Sequence, residues 1–180
     1  MAATATTSCT AGPGSTPCTA TMGGGTCFGD SGNDTISGGT EPDLIYGGAD
    51  NDTIDGESGN DTILGEGGND IITGSGGNDI VSGGPGLDYI HGGVGQDDLA
   101  GGPDADEIHG GADDDKLCGD SEQDLLFDEA SNDTLYGATG MFEAEDGGAD
   151  TTGDACEGYP SSAAVVNCEA GWPYGRPCTL

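Results

Sequence analysis

The chain has almost no positive charge. Lys116 and Arg176 are its only basic residues against 34 acidic ones in 180, a formal charge of −32. So acidic a surface repels polyanions, which excludes nucleic acid and anionic membrane as partners. Aromatic residues are scarce as well, at 5%. A wide globular core is therefore excluded, and stability has to be spread along the chain as in a solenoid. No stretch is long and apolar enough to span a bilayer, so membrane insertion is not expected. The start Met1-Ala-Ala-Thr-Ala-Thr-Thr lacks the basic segment and apolar run of a secretory leader, and the sequence reads as a mature form. The seven cysteines include no Cys-x-x-Cys knuckle, which argues against zinc.

What the chain has in abundance is glycine, 38 residues of it, and a beat of nine. Aspartate recurs at Asp34, Asp43, Asp52, Asp61, Asp70, Asp79, Asp88, Asp97, Asp106, Asp115, Asp124 and Asp133, twelve times without a gap. Two places after each stands an aliphatic residue: Ile36, Ile45, Ile54, Ile63, Ile72, Val81, Ile90, Leu99, Ile108, Leu117, Leu126 and Leu135. Written as nine positions, the first unit is Gly29-Asp30-Ser31-Gly32-Asn33-Asp34-Thr35-Ile36-Ser37 and the twelfth ends at Tyr136. Position one is Gly in every unit except at Asp128. Glycines and Asn/Asp residues permit the positive φ of a tight turn, so the first six positions bend. The last three, such as Thr35-Ile36-Ser37, form a minimal strand with one apolar side chain inward and its neighbours outward. Two units make an 18-residue coil. A Gly/Asn/Asp-rich disordered linker would have no reason to hold two positions locked at a fixed period.

The units Gly56 to Leu64, Gly65 to Thr73 and Gly83 to His91 resemble the GGxGxDxUx nonapeptide of the RTX (repeats-in-toxin, hemolysin-type) calcium-binding proteins. The resemblance implies an all-β fold, a right-handed parallel β-roll or β-solenoid, with each Ca²⁺ between turns stacked one coil apart. Backbone carbonyls and the position-six carboxylates would hold the ions. Asp34, Asp52, Asp70, Asp88, Asp106 and Asp124 would line one edge, and Asp43, Asp61, Asp79, Asp97, Asp115 and Asp133 the other. Oxygen-only ligation suits a hard cation. Six turns per edge leave five gaps, so the ideal count is ten ions, and departures from the motif reduce it to about 8–10. Position four is Glu41, Asp50, Asp104, Asp113, Glu122 or Ser131 where the family has Gly, and Pro42 follows the first of these. Glu tolerates positive φ less well than Asp, so the turns at Glu41 and Glu122 are expected to bind calcium weakly or differently. The extra carboxylates read as a solvated acidic rim in preference to additional ligands.

Fixing nine backbone residues costs several times what one buried Ile contributes, and stacked carboxylates repel one another. The metal-free chain is therefore expected to be largely disordered, with ion binding supplying the folding energy.

The ends depart from the register. Cys9, Cys18 and Cys27 keep the beat of nine at position eight of three further units beginning at Ala2, Ala11 and Ala20, which lack the aspartate. Residues 1–28 thus read as metal-free N-terminal coils. Cys9 and Cys27 would be neighbours along one wall about 5 Å apart, within disulfide reach, unless the spacing is chance. Residues 137–180 read as a Cys/Pro/Gly-rich cap carrying Cys156, Cys168 and Cys178 with Tyr159, Trp172 and Tyr174. Cys118, at outward position nine, could tether that cap. The roll occupies 29–136. Seven cysteines point to an oxidising setting, extracellular or at the cell surface. The resemblance implies a Gram-negative bacterium, although RTX proteins carry few cysteines, so the export route departs from the family.

No catalytic residue is expected. Every in-register Asp has a structural job, and no nucleophile motif surrounds a serine. His91 and His109, on neighbouring coils at position nine, read as surface histidines in preference to a two-His metal site. The expected function is that of an extracellular calcium-binding structural protein that self-assembles into filaments or a surface layer. Outward Leu44, Tyr46, Leu64 and Ile80 supply an apolar patch on one wall. The alternatives are a monomeric secreted RTX module or adhesin fragment and, more distantly, ice binding. Thr35, Thr53 and Thr73 begin an array for ice that Ile71, Tyr89, His91 and Glu107 interrupt.

Overall fold

A computed structural model of the chain describes residues 8–10, 17–19, 24–136 and 155–157, with side chains over 24–136. The period-two alternation after each aspartate yields short strands. They begin with β1 (Ser8–Thr10), β2 (Pro17–Thr19), β3 (Thr26–Phe28), β4 (Thr35–Gly39), β5 (Leu44–Ala49) and β6 (Thr53–Glu57). Next come β7 (Thr62–Gly67), β8 (Ile71–Gly76), β9 (Ile80–Ser82), β10 (Tyr89–Val94) and β11 (Asp98–Gly102). The series closes with β12 (Glu107–Ala112), β13 (Lys116–Asp120), β14 (Leu125–Ala130), β15 (Thr134–Tyr136) and β16 (Ala155–Glu157).

Successive strands go to opposite walls. One sheet has nine strands in the order β1-β3-β5-β7-β9-β11-β13-β15-β16, the other seven in the order β14-β12-β10-β8-β6-β4-β2. All pairs are parallel, and within the repeat each is offset by one coil: Ile36 lies beside Ile54, Ile54 beside Ile72, Ile45 beside Ile63. The fold is an all-β, parallel β-solenoid of 18-residue coils, and the described residues include no helix.

Its core is a single file. Cys27, Ile36, Ile45, Ile54, Ile63, Ile72, Val81, Ile90, Leu99, Ile108, Leu117, Leu126 and Leu135 are each at most 1% exposed. Among the described residues the position-eight side chains thus form the central apolar file. The strands, however, outrun the three residues read from the sequence: six of them, β5, β7, β8, β10, β12 and β14, span six residues. The reason is that positions one to three go on bonding to the neighbouring coils, as in Gly29 N–H to the Tyr46 carbonyl (2.8 Å) and Ala49 N–H to the Asp30 carbonyl (2.9 Å).

At the N-terminal end the cysteine beat does continue the coil. Cys9 pairs with Cys27 and Cys18 with Ile36 in the same register as the aliphatic residues. At the other end β16 sets Cys156 beside Leu135, 21 residues on instead of one coil of 18. The rest of the expected cap, with Tyr159, Cys168, Trp172, Tyr174 and Cys178, lies outside the described residues. Cys118 is not at the surface as its outward position suggested. It is 1% exposed, next to Ala100 at 4%.

Candidate calcium sites

The turns owe their shape to two left-handed residues each. Position two has positive φ in all twelve units, and position four in all but one. Non-glycine residues submit to it too: Glu57 has φ 68°, Glu66 71°, Asp50 78°, Asp104 82° and Glu122 82°. The backbone at Glu122 therefore matches that of the other turns. Glu41 alone escapes, because a residue before proline is driven to extended backbone and Pro42 follows it. The side chains of Asp50, Asp104, Asp113 and Glu122 are exposed, as an acidic rim requires.

Inside the turns stand the twelve register aspartates, 1–6% exposed. The two oxygens of each carboxylate have different work. Oδ1 accepts the backbone N–H of the aspartate one coil earlier: Asp34 to Asp52 at 2.7 Å, Asp52 to Asp70 and Asp61 to Asp79 at 2.8 Å. The ladder runs on to Asp115 N–H and Asp133 Oδ1 at 2.6 Å. Oδ2 is buried without a hydrogen-bond partner in nine of them, Asp52, Asp61, Asp70, Asp79, Asp88, Asp97, Asp106, Asp115 and Asp124. These orphaned oxygens face the position-one glycine of their own turn. A Cβ on Gly65 would stand 2.5 Å from Asp70 Oδ2 and 2.6 Å from the Gly83 carbonyl oxygen, and one on Gly74 would stand 2.5 Å from Asp79 Oδ2 and 2.7 Å from the Gly92 carbonyl oxygen. Each such turn is a cradle in which an anionic oxygen and a carbonyl oxygen approach one point from successive coils.

Electrostatics shows how badly these groups want a cation. Burial, and then the like charges one coil away, push Asp61, Asp70, Asp97 and Asp106 up to about 7 and Asp115 to about 8. Asp88 and Asp124 rise to about 6, again chiefly through burial. The basic side chain nearest in sequence, Lys116, is already held by both oxygens of Asp98 at 2.8 and 2.9 Å. Among the described residues no three His, Cys, Asp or Glu side chains converge as a metal cluster, so any bound ion needs carbonyls besides carboxylates. Buried, unpaired carboxylate oxygens beside carbonyls are the donor set that a hard divalent cation completes.

The comparison with known families agrees. Five overlapping stretches, residues 28–63, 56–90, 64–99, 91–126 and 119–140, match the RTX calcium-binding nonapeptide repeat (4 copies). The chain belongs to the RTX repeat family. RTX repeats bind Ca²⁺, and this solenoid is a calcium-binding roll. No curated protein matches it.

Sequence reasoning overlooked a second ladder. At position five, Asn51, Asn69 and Leu87 donate their N–H groups to the side-chain oxygens of Asn33, Asn51 and Asn69 at 3.3, 2.9 and 3.1 Å. Asn78 and Gln96 do the same to Asn60 and Asn78 at 3.0 and 3.1 Å. These bonds run opposite to the aspartate ladder, since here the earlier coil accepts. The signal was legible: Asn fills position five in six of the twelve units.

The histidines pair in register but form no metal site. His109 meets Glu129 at Nδ1 (3.1 Å) and Glu107 at Nε2 (3.0 Å), so both ring nitrogens are engaged. Its ring stacks on Phe127 at 4.4 Å and lies 6.1 Å from His91. On the opposite wall Leu44, Tyr46 and Leu64 are half-buried, whereas Ile80 is 46% and Phe28 37% exposed. Phe28 stacks on Tyr46 at 5.0 Å.

Proposed function

We propose that the chain is an extracellular structural protein that folds when Ca²⁺ fills its two aspartate columns and then self-associates into filaments or a surface layer. The observation that carries the calcium switch is the set of nine buried Oδ2 atoms without partners, from Asp52 to Asp124. In this reading the twelve register aspartates are the carboxylate ligands and about 8–10 ions bind. No residue has a catalytic role: each register carboxylate is committed to the ladder and the cation.

Seven cysteines support an oxidising location, and secretion from Gram-negative bacteria, typical of RTX proteins, supports the same setting. Self-association is supported by the exposed Phe28 and Ile80 on so acidic a rod. A monomeric module or adhesin fragment is the second reading, and it is favoured by the half-burial of Leu44, Tyr46 and Leu64, which shrinks the apolar patch.

Circular dichroism in excess chelator is expected to show a largely disordered chain that gains β structure on calcium addition; full β structure in chelator overturns the calcium switch. Electron microscopy with calcium is expected to show filaments or sheets, and monomers under all conditions would retire assembly while leaving the switch intact.

A further inference from the structure

On the seven-stranded wall the asparagine ladder at position five gives way after Asn69. The next three coils carry Leu87, Ala105 and Gln123 there, and Tyr89, Glu107 and Leu125 at position seven. Tyr89 lies beside Glu107 and Glu107 beside Leu125. Ala105 is the smallest of its column, so the middle coil is recessed between its neighbours. These six residues line a surface notch of 330 Å³ whose floor reaches the buried Asp88 and Asp106. Leu87 is 55%, Leu125 41% and Tyr89 38% exposed, a cluster of open apolar side chains of the kind that marks a binding surface. Glu107 is held in place within it, its Oε1 3.0 Å from Nε2 of His109, whose ring in turn stacks on Phe127. Asp104 and Glu122, each one residue before a lining side chain, are exposed. Positions five and seven are free in the nonapeptide pattern, so the notch belongs to this chain and not to the repeat.

We propose that this notch docks an arginine side chain presented by a basic peptide segment of another protein. Charge and shape together select the occupant. An anionic ligand is repelled by a chain of charge −32. A purely apolar one would cover Glu107 with nothing to match its charge. A second copy of the chain brings few cations: Lys116 is held by both oxygens of Asp98, and Arg176 is the other basic residue of the sequence. Arginine suits both parts of the notch. Its aliphatic stem packs between Leu87 and Leu125, and its planar head stacks on the Tyr89 ring and pairs with the Glu107 carboxylate. Asp104 and Glu122 draw further basic residues toward the same place. The six residues named lie outside the aspartate columns, so the proposal stands apart from the calcium reading.

The test titrates the full chain in saturating Ca²⁺, at about 0.15 M salt, into a fluorescent peptide of alternating arginine and glycine, read by anisotropy. The control peptide carries citrulline, which keeps the shape of arginine and removes its charge. Ala105→Leu fills the notch without changing the charge of the rod, and Leu87 shows that position five accepts leucine. Glu107→Gln removes the carboxylate and keeps its volume. The arginine peptide is expected to bind wild type, and either variant, or the change to citrulline, to weaken binding about tenfold or more. Equal binding by Ala105→Leu and wild type overturns the proposal, since the general pull of an acidic rod would then explain the attraction. Equal affinity for the citrulline peptide overturns it in favour of a neutral ligand, and failure of the arginine peptide to bind wild type removes the occupant altogether. Self-association of wild type that Ala105→Leu abolishes would instead give the notch to a second copy. Should Ala105→Leu lose β structure by dichroism, Glu107→Gln and the citrulline peptide decide the matter.

Discussion

At Gly65 the missing Cβ is what lets Asp70 Oδ2 and the Gly83 carbonyl oxygen approach within 2.5 and 2.6 Å of one point. An alanine there presses on backbone from one side and on the ion's carboxylate from the other. Gly65→Ala is therefore expected to cost about 1–3 kcal/mol by overpacking and to lower the number of bound ions. Gly67, two residues on, has nothing within 4 Å of its would-be Cβ, and Gly67→Ala should stay within about 1 kcal/mol of wild type. Calcium-dependent melting of the two variants side by side checks the contrast. The register aspartates were legible in the sequence because carboxylate chemistry depends on residue identity, and identity is what repeats. The division of labour between Oδ1 and Oδ2 was not. It follows from a coil pitch that brings the N–H of Asp52 to the carboxylate of Asp70 (2.8 Å), and no single unit carries that information. Nor did residue type announce the left-handed backbone of Glu57 and Glu66, whose side chains ordinarily avoid it.

A strand of this roll contributes one main apolar side chain, and the file from Cys27 to Leu135 is the core cluster of the described residues. Ile63→Ala removes a strand's entire share at a site that cannot collapse, because parallel neighbours fix Ile45 and Val81 on either side. The expected loss is about 2–5 kcal/mol, read as a higher calcium concentration at the folding midpoint. A midpoint unchanged by Ile63→Ala would show that the ions alone hold the coil. Strand positions were legible from the alternation around each aliphatic residue. Strand lengths were not, since glycines at positions one and two looked like turn residues, yet Gly74 and Ser75 lie within β8. The backbone at Glu122 follows the same logic: the coil holds φ 82° there although the residue is Glu.

For the whole molecule the charge of −32 makes folding without metal a problem of protons. Carboxyls that rise from 3.8 to about 7 or 8 on folding, as at Asp70, Asp97 and Asp115, bind protons more tightly in the roll than in the unfolded chain. Their protonated forms therefore favour the roll. That contribution is fully present below about pH 4 and is lost as pH rises through about 6 to 8, the folded values from Asp88 to Asp115. With calcium the dependence reverses, because the ion needs the carboxylates ionised. The chelator-treated chain is thus expected to gain β structure between pH 8 and pH 4, while the loaded chain sheds ions over the same window. Dichroism and ion counting across that range test both signs, and a metal-free chain equally unfolded at both ends of it contradicts the burial argument.

The uniformity of the coils raises a problem of alignment. If part of the solenoid slid by one whole coil, aliphatic residues would again meet aliphatic residues and aspartates would again meet aspartates, because each pairs with its counterpart 18 residues away. Core and ladder are nearly blind to such slippage. Among the described residues, what distinguishes the correct alignment includes partnerships that do not repeat from coil to coil, such as Phe28 on Tyr46, Lys116 with Asp98, and His109 between Glu107 and Glu129. Each is a surface contact of small energy, yet together they act as index marks on an otherwise repetitive scale. Erasing them should leave the folded state about as stable while increasing the share of chains trapped one coil out of phase.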